Sequence, residues 1–478
     1  MITGKILKLQ GWPEGRLIGL AKDAAEALDP QDQAREATLA RLAAVRADPG
    51  AFLADPRLSA LARECLRHAA DAARAAAPAN DALRDEPLPY PTWGAEHIEP
   101  GARAQMDNAL RLPVAVAGAL MPDAHLGYGV PIGAVLATEG AAVPYAVGVD
   151  IACRMRLSVY ALSPIALEQQ RGRFERALVD NTRFGVGAEW KRGERPQHPV
   201  LDDPAWEATR LLHLLRDTAV KQLGTSGSGN HFVEFGAFRL AAADAQLGLE
   251  AGEYLALLSH SGSRGVGYKI CEAYTRIARE QHPRLDKRAR DLAWLDLSGE
   301  AGQEYWLSME LAGRFASANH AVIHRRVAEA AGLKELAVVE NHHNFAWKET
   351  LPDGRAVIVH RKGATPAGPG VLGVIPGTMG DPGYVVRGRG LPGSLHSASH
   401  GAGRAMSSRR ARESITKTER DRYLAARGVR LLGEVGLDEA PQAYKRVEAI
   451  VAAQADLVDV IGTFAPRVVL MTAEKGEI

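Results

Sequence analysis

Side chains that bind metal ions or react with phosphate are concentrated in short segments rich in glycine and other small residues. These segments are Met121–Gly129, Ala146–Arg154, Gly224–Glu234, Ser259–Gly265 and Asn341–Asn344. In the second segment Asp150 and Cys153 lie three positions apart, a spacing that points both side chains the same way on a turn or helix start. A carboxylate and a thiolate together suit a divalent transition metal, and His231, His260 and His343 are candidates to complete such a site.

The pair Asp150 and Cys153 leaves two interpretations open. A thiolate can bridge two cations, and paired cations stabilise both ends of a phosphoryl displacement. Alternatively, Asp150 caps a helix and Cys153 is a small core residue, because spacing alone does not show that ligands converge in space.

Two loops have features of phosphate binding. Gly224–Asn230 holds three glycines and three hydroxyl residues, so it can present successive backbone N–H groups to an anion, although it lacks the lysine of a P-loop. A flexible turn is the alternative. In Ser399–Arg404, His400 lies among small residues and could attack phosphorus, with Arg404 as a planar donor to phosphate. A loop histidine without a role is the alternative there.

Short β-branched runs between glycine-rich turns predict the strands that must position these segments. The predicted strands are Ile132–Thr138, Tyr254–Ser259, Leu336–Val339, Ala356–His360 and Arg467–Thr472. Helical periodicity predicts helices over Gln303–His324 and Pro441–Phe464. This mixture favours an α+β or α/β body, and we predict an α+β catalytic domain over residues 86–478.

The beginning of the chain has a different composition. Residues 19–75 are rich in Ala, Leu and Arg and predict a small helical module, whereas residues 1–18 predict a short strand and turn. Residues 76–92 contain four prolines and predict a linker. We therefore predict an N-terminal helical extension over residues 1–85.

Composition excludes several classes of protein. The chain has 478 residues, of which 46% are hydrophobic and 24% charged, so it is an ordinary globular chain rather than a disordered one. No apolar stretch is long enough for a transmembrane helix, and no secretory signal is visible. Three cysteines cannot form a disulfide framework, so the cytoplasm is the expected compartment. The formal net charge of +1 predicts no partner by itself.

Taken together and in order, the segments resemble the RtcB family of GTP-dependent RNA ligases. The motifs that carry the resemblance are PDAHLGYG, AVGVDIAC, GNHFVE, HSGSRG, HHN, HRKGA, PGTMG and SHGAGR, within a region from about Pro87 to Lys475. The resemblance implies two Mn²⁺ ions bridged by Cys153. It places Asp150 and His231 on one ion and His260 and His343 on the other.

The resemblance also implies a nucleotide site and a reaction. His400 would carry GMP, and Asp123 would be an acidic residue needed for ligation. The implied guanine-nucleotide contacts are Asn230, Glu234, Asn344, Pro376, Gly377, Thr378, Met379, Gly401, Ala402, Gly403 and Lys475. The implied reaction joins RNA 3′-phosphate or 2′,3′-cyclic phosphate ends to 5′-hydroxyl ends, as in RNA repair or tRNA splicing. A monomer is expected, and an activating protein partner is left open.

Three features depart from the family pattern. Ala152 and Arg154 flank Cys153 at positions where glycine is common in the family. Gly383, two residues after Asp381, stands where many members have a serine that contacts the nucleotide. Residues 1–85 are an addition to the family body. These departures leave open a divergent paralogue, either a metal-dependent RNA-end phosphoesterase or a specialised repair ligase. A catalytically silent RNA-binding protein is disfavoured, because it would need neither the metal set nor the nucleophile.

A local basic groove for the RNA backbone is predicted despite the low net charge. The cations expected to form it lie in or beside the motif loops and are Arg154, Arg264, Arg361, Lys362, Arg404, Arg409 and Arg410.

Overall fold

A computed structural model describes residues 2–13, 15–76 and 81–472, and the chain divides into two compact units, Met1–Asn80 and Asp81–Ile478. The helices of the first unit are α1 (Gly4–Leu9), α2 (Arg16–Leu28), α3 (Arg35–Ala47) and α4 (Ser59–Ala76). Leu7, Leu17, Leu42 and Leu61 are buried together in its core. The helices expected within residues 19–75 are confirmed, and the strand expected within residues 1–18 is wrong, because burial of Leu7 on a helix overrides a weak strand preference.

The predicted boundary after residue 85 stays a prediction. Asp81 accepts hydrogen bonds from His282 (2.7 Å) and from the backbone N–H of Arg284 (3.0 Å), both in the second unit. His282 also stacks against Trp294, with ring centroids 3.8 Å apart. The residues that directly follow Asn80 are therefore anchored within the second unit.

The second unit mixes helices with largely antiparallel sheets, which confirms the α+β class. Its helices are α5 (Pro100–Leu110), α6 (Pro144–Val147), α7 (Ala166–Gln169), α8 (Arg171–Asn181), α9 (Arg210–Gln222), α10 (Arg264–Gln281), α11 (Glu300–Ala330), α12 (Ser408–Ser414), α13 (Lys417–Ala425) and α14 (Val447–Ala452). Its strands are β1 (Ala115–His125), β2 (Ile132–Thr138), β3 (Ala141–Ala142), β4 (Arg154–Tyr160), β5 (Phe232–Leu240), β6 (Gly252–Ser261), β7 (Leu295–Asp296), β8 (Glu335–His342), β9 (Asn344–Thr350), β10 (Ala356–Lys362), β11 (Ala364–Pro366), β12 (Leu372–Ile375), β13 (Gly383–Gly388), β14 (Ser397–Ser399), β15 (Arg430–Leu432) and β16 (Val458–Met471).

Two larger sheets form the body of this unit. In one, antiparallel strands follow the order β12-β13-β16-β5-β6-β4-β8, and β15 pairs in parallel with β16. In the other, the order is β1-β2-β10-β9. The five strands predicted from sequence are confirmed in place. The helix predicted over Pro441–Phe464 is wrong beyond α14, because Val458–Phe464 hydrogen-bonds to β13 as the first half of β16.

The long helix α11 packs across the larger sheet. Ile323 and Val327 on α11 share a buried cluster with Val233 on β5 and Leu257 on β6. Packing against α11 helps to fix the register of β5 and β6, because a slip by one residue would turn Val233 and Leu257 away from the helix. Within the described ranges, no helix has the length and apolar character needed to cross a membrane.

Candidate active site

Strand pairing collects residues from distant parts of the sequence at one end of the larger sheet. Strand β6 lies between β4 and β5, and His260 near its end pairs in register with the first residue of β5. Cys153 directly precedes β4 and His231 directly precedes β5, whereas His343 directly follows β8, the outer neighbour of β4. The predicted metal-binding side chains therefore lie side by side.

Their donor atoms face one another. Cys153 Sγ lies 3.1 Å from His260 Nε2 and 3.5 Å from His231 Nε2. His260 Nε2 lies 3.2 Å from His343 Nε2, and His231 Nε2 lies 3.1 Å from Asp150 Oδ2. We call these five residues the Cys153 cluster.

Hydrogen bonds at the back of the cluster direct lone pairs inward. His260 Nδ1 donates to the carbonyl of Asn230 (3.0 Å), so its Nε2 carries the lone pair that faces Cys153. Asp150 Oδ1 accepts from the backbone N–H of Ser263 (3.2 Å). A Cβ at Gly262 would lie 2.2 Å from that carboxylate oxygen, which explains glycine at this position.

The protonation of the cluster fits a cation. Burial lowers the pKa of His260 and His343 well below the ordinary value and raises the pKa of the Cys153 thiol well above it, because desolvation disfavours charge. Burial also acts to raise the pKa of Asp150, but hydrogen bonding to His231 and the charge of that ring prevail and bring it to about 2. The neutral imidazoles of His260 and His343, a carboxylate and a thiol that needs a cation to ionise match the chemistry of a transition-metal site.

The neighbouring histidine does not belong to the cluster. His342 stacks on Trp347 with ring centroids 5.0 Å apart and an interplanar angle of 22°. Phe345 contacts the His342 ring edge-on, with centroids 4.9 Å apart. Of the two adjacent histidines, the structure therefore brings only His343 to the cluster.

His400 forms a second element of the site, paired with Asp123. Its Nδ1 donates to Asp123 Oδ2 at 2.7 Å, and its backbone N–H donates to the same oxygen at 3.2 Å. Because Nδ1 is engaged, Nε2 is the nitrogen with a lone pair for chemistry. Gly403 has φ +73°, and a Cβ there would lie 2.1 Å from the Asp123 carbonyl oxygen, so the tight turn after His400 requires glycine.

One cavity connects His400 with the Cys153 cluster. It has a volume of about 180 Å³ and is lined by His260, His343 and His400. The ring centroids of His343 and His400 lie 4.8 Å apart. The predicted nucleotide contacts that also line this cavity are Asn230, Pro376, Gly377, Thr378, Met379, Gly401, Ala402 and Gly403.

Three other predicted nucleotide contacts are placed differently. Glu234 is buried on β5, on the same strand face as the cavity-lining Phe232, and burial raises the pKa of its carboxyl well above the ordinary value. Asn344 braces the backbone, since its Oδ1 accepts from the N–H of Gly363 (2.9 Å) and its Nδ2 donates to the carbonyl of Asp150 (3.3 Å). Lys475 lies outside the described residues.

The predicted basic groove is wrong for three of its members. Lys362 is buried and donates to two backbone carbonyls. Arg154 is buried and donates to Glu340 and to the carbonyl of Gly313 (3.1 Å). Arg361 is also buried and donates to Glu349 at 2.7 Å. These cations are part of sheet interiors, where a buried charge must be paired, so they cannot reach an RNA backbone.

The other predicted cations lie in several environments. Arg264 donates to the carbonyl of Gly185 at 2.9 Å. Arg404 lines the cavity, and the side chain of Arg409 is 87% exposed. Arg410 is exposed on α12. The cations that remain accessible therefore lie on the Arg404–Arg410 side of the site.

The carboxylate of Asp381, which lies beside the loop Pro376–Met379, is compensated by its neighbours. Asp381 Oδ2 accepts from the hydroxyl of Thr378 at 2.6 Å, and Oδ1 lies 3.7 Å from Arg427 Nε. The carboxylate thus holds the loop closed and is partly neutralised.

Residues that the sequence analysis did not assign complete the cavity. His125 lines it and also lines a neighbouring cavity of about 590 Å³. Its Nδ1 donates to the carbonyl of Asp123 (3.0 Å), and its position within the PDAHLGYG motif was an available signal. Glu439 and Tyr444 also line the first cavity and contact Arg404, and they lie outside the eight motifs.

This fold and site belong to a known class. The family profile described as "tRNA-splicing ligase RtcB" matches residues 105–206 and 203–472. The chain is therefore a member of the RtcB family.

Curated relatives agree with this assignment. The chain is 35% identical to the RNA-splicing ligase RtcB1 of Escherichia coli ATCC 25922 over 370 residues, which are 72% of this chain and 87% of that protein. It is 34% identical to the RNA-splicing ligase RtcB of Escherichia coli K12 over the same shares of the two chains. It is 32% identical to the tRNA-splicing ligase RtcB of Archaeoglobus fulgidus over 73% of this chain and 84% of the relative.

Proposed function

We propose that this protein is an RNA ligase that joins 3′-phosphate or 2′,3′-cyclic phosphate ends of RNA to 5′-hydroxyl ends, using GTP and Mn²⁺. The observation that carries the proposal is that His400 lines one cavity with His260 and His343 of the Cys153 cluster, while Asp123 accepts a hydrogen bond from His400 Nδ1. A cluster of metal ligands beside an oriented imidazole nucleophile suits nucleotidyl transfer better than simple hydrolysis, which needs no nucleotide acceptor.

The Cys153 cluster would hold two Mn²⁺ ions, and the residues that would supply their ligands are Asp150, Cys153, His231, His260 and His343. Bound there, the ions would supply Lewis acidity that withdraws charge from phosphoryl oxygens. The fit rests on the donor set, which combines the inward lone pair of His260 with a thiol whose ionisation needs a cation.

The first reaction would use His400 as the nucleophile. Nε2 forms a P–N bond to the α-phosphorus of GTP, while the P–O bond to pyrophosphate breaks. The ring becomes positively charged, and the Asp123 carboxylate at 2.7 Å from Nδ1 stabilises that charge. The loops that line the cavity, Pro376–Met379 and Gly401–Gly403, would position the nucleotide, with Asn230, Glu234, Asn344 and Lys475 as further proposed contacts.

The later reactions would transfer GMP and then join the RNA. An oxygen of the RNA 3′-phosphate attacks the phosphorus of bound GMP, and the P–N bond breaks, which returns His400 to its starting state. The 5′-hydroxyl oxygen of the second end then attacks the activated RNA phosphate, GMP leaves, and the hydroxyl proton passes to solvent. A cyclic phosphate end would first be hydrolysed to the 3′-phosphate.

Labelling with GTP that carries ³²P at the α-phosphate tests the proposal. In the presence of Mn²⁺ we expect an acid-labile, alkali-stable label on the wild-type protein and none on His400→Ala. His213→Ala is the matched control, since that ring is exposed and its hydrogen bond is to Glu207 on the surface. Label retained by His400→Ala would remove the nucleophile assignment. RNA-end hydrolysis without any labelled protein would favour the phosphoesterase alternative.

A further inference from the structure

A second cavity adjoins the proposed nucleotide site. Its volume of about 590 Å³ compares with about 180 Å³ for the first, and the two share His125 and Arg404 in their walls. Ligand pockets commonly have volumes of about 300–1,000 Å³. The second cavity is therefore large enough to hold a nucleotide of an RNA end beside the first cavity.

An exposed aromatic ring stands in the wall of this second cavity. Tyr128 is 74% exposed, and the neighbouring Leu126 is 51% exposed, within the turn that joins β1 to β2. A large exposed aromatic side chain gains little from folding, because it buries little apolar area. Its position in the wall of a cavity that adjoins the proposed reaction site indicates a binding role instead.

The backbone beneath this ring is held rigidly. Gln105 donates to the carbonyl of Gly127 (2.6 Å) and accepts from its N–H (3.0 Å). Lys362 donates to the carbonyl of Tyr128, and the N–H of Leu126 donates to Glu99 at 3.1 Å. The backbone of the turn is thus fixed while the Tyr128 ring is exposed to solvent. Little conformational entropy of the turn is therefore lost when a planar group stacks on the ring.

The charge of the second cavity suits a phosphate backbone. Its cationic side chains are Lys445 and Arg404, of which Arg404 is paired with Glu439 at 3.2 Å. Its carboxylate is Glu99, which accepts the N–H of Leu126. The Lys445 ammonium donates to the carbonyls of Ala124 (2.7 Å) and Pro122 (3.3 Å). An ammonium has three N–H groups, and two of them have these acceptors among the described residues. The third N–H group is left to donate to an anion.

We propose that the second cavity is an RNA subsite in which Tyr128 stacks on a base of a terminal nucleotide and Lys445 contacts its phosphate. This inference rests on the proposed function, because it assumes that RNA ends must approach His400. Stacking on tyrosine tolerates any base, so the subsite would hold RNA ends of varied sequence. His125, at the junction, would lie between this nucleotide and His400.

The test compares Tyr128→Ala with Tyr128→Phe in the full chain. Tyr268→Ala is the control, because Tyr268 is 52% exposed on α10 and lines neither cavity. Binding of a fluorescent single-stranded RNA that ends in a 3′-phosphate, or one that begins with a 5′-hydroxyl, is followed by anisotropy. We expect the dissociation constant of one of them to rise roughly 5- to 150-fold in Tyr128→Ala and to recover in Tyr128→Phe.

Separate reaction steps then show which RNA end occupies the subsite. Labelling of His400 by GTP should be unchanged in Tyr128→Ala, since that step needs no RNA. A higher KM for GMP transfer to the 3′-phosphate would identify the donor strand, and a higher KM confined to joining would identify the 5′-hydroxyl strand. Unchanged binding of both RNAs in Tyr128→Ala, or a Tyr128→Phe variant as defective as Tyr128→Ala, would overturn the subsite. A wild-type protein that binds RNA through Tyr128 but takes no label would instead refute only the proposed ligase function.

Discussion

Replacing Asp123 with asparagine should slow the first reaction while leaving the fold intact. Asp123 Oδ2 lies 2.7 Å from His400 Nδ1, and its side chain is fully buried. When Nε2 bonds to phosphorus the ring gains a positive charge about 4 Å from the carboxylate charge. At an effective dielectric constant of about 20, that pair is worth about 4 kcal/mol. An asparagine oxygen can still accept the hydrogen bond, which offsets about 1 kcal/mol of the loss.

The remaining loss of about 3 kcal/mol predicts a rate of His400 labelling that is roughly 100-fold lower. The assay is single-turnover incorporation of the α-phosphate of GTP at saturating nucleotide, with thermal unfolding measured in parallel. Asp286→Asn is the control, because Asp286 is exposed and its side-chain partner is Arg288 nearby. A labelling rate in Asp123→Asn within threefold of wild type would refute the electrostatic role of this carboxylate.

Three further predictions concern the metal cluster, a buried ion pair and RNA affinity. Cys153→Ser should lose most bound manganese by elemental analysis, whereas Cys271→Ser, a buried thiol elsewhere, should retain it; equal manganese in both would contradict the bridging role. Burial acts to raise the pKa of Glu340, but Arg154 and other neighbours bring it to about 2. Glu340→Gln should therefore lower the free energy of unfolding by about 3 kcal/mol at pH 7. The difference from wild type should shrink as the pH falls from about 4 towards 2, and a pH-independent difference in denaturant titrations would count against the ion pair. RNA affinity should fall with salt with a logarithmic slope of about −0.7 per phosphate contact, and a flat response would exclude backbone recognition.

The sequence predicted those features of the candidate site that depend on residues close together in the chain. Asp150 and Cys153 are close in the chain, and Gly262 and Gly403 occupy positions where a Cβ would strike Asp150 and Asp123. Such local requirements restrict the residue types within short segments, so they are visible in the sequence. The sequence does not show which distant segments meet, and Cys153 and His231, which are neighbours in the fold, lie 78 positions apart.

Errors in the sequence analysis occurred where burial decided the outcome. Arg154 and Arg361 were expected to face RNA, yet sheet pairing turned them inward to Glu340 and Glu349. Val458–Phe464 was expected to be helical, but its backbone forms hydrogen bonds with the neighbouring strands β13 and β5. Local pattern could not supply this information, because it depends on which strands become neighbours.

The sequence by itself therefore determined the chemical groups of the site and the α+β class of its scaffold, because side-chain chemistry, turn glycines and apolar periodicity are properties of short segments. Only the tertiary structure decided that His400 shares a cavity with the Cys153 cluster, and that a second cavity opens beside it at His125. The physical reason is that strand register and burial are set by hydrogen bonds and packing between segments far apart in the chain.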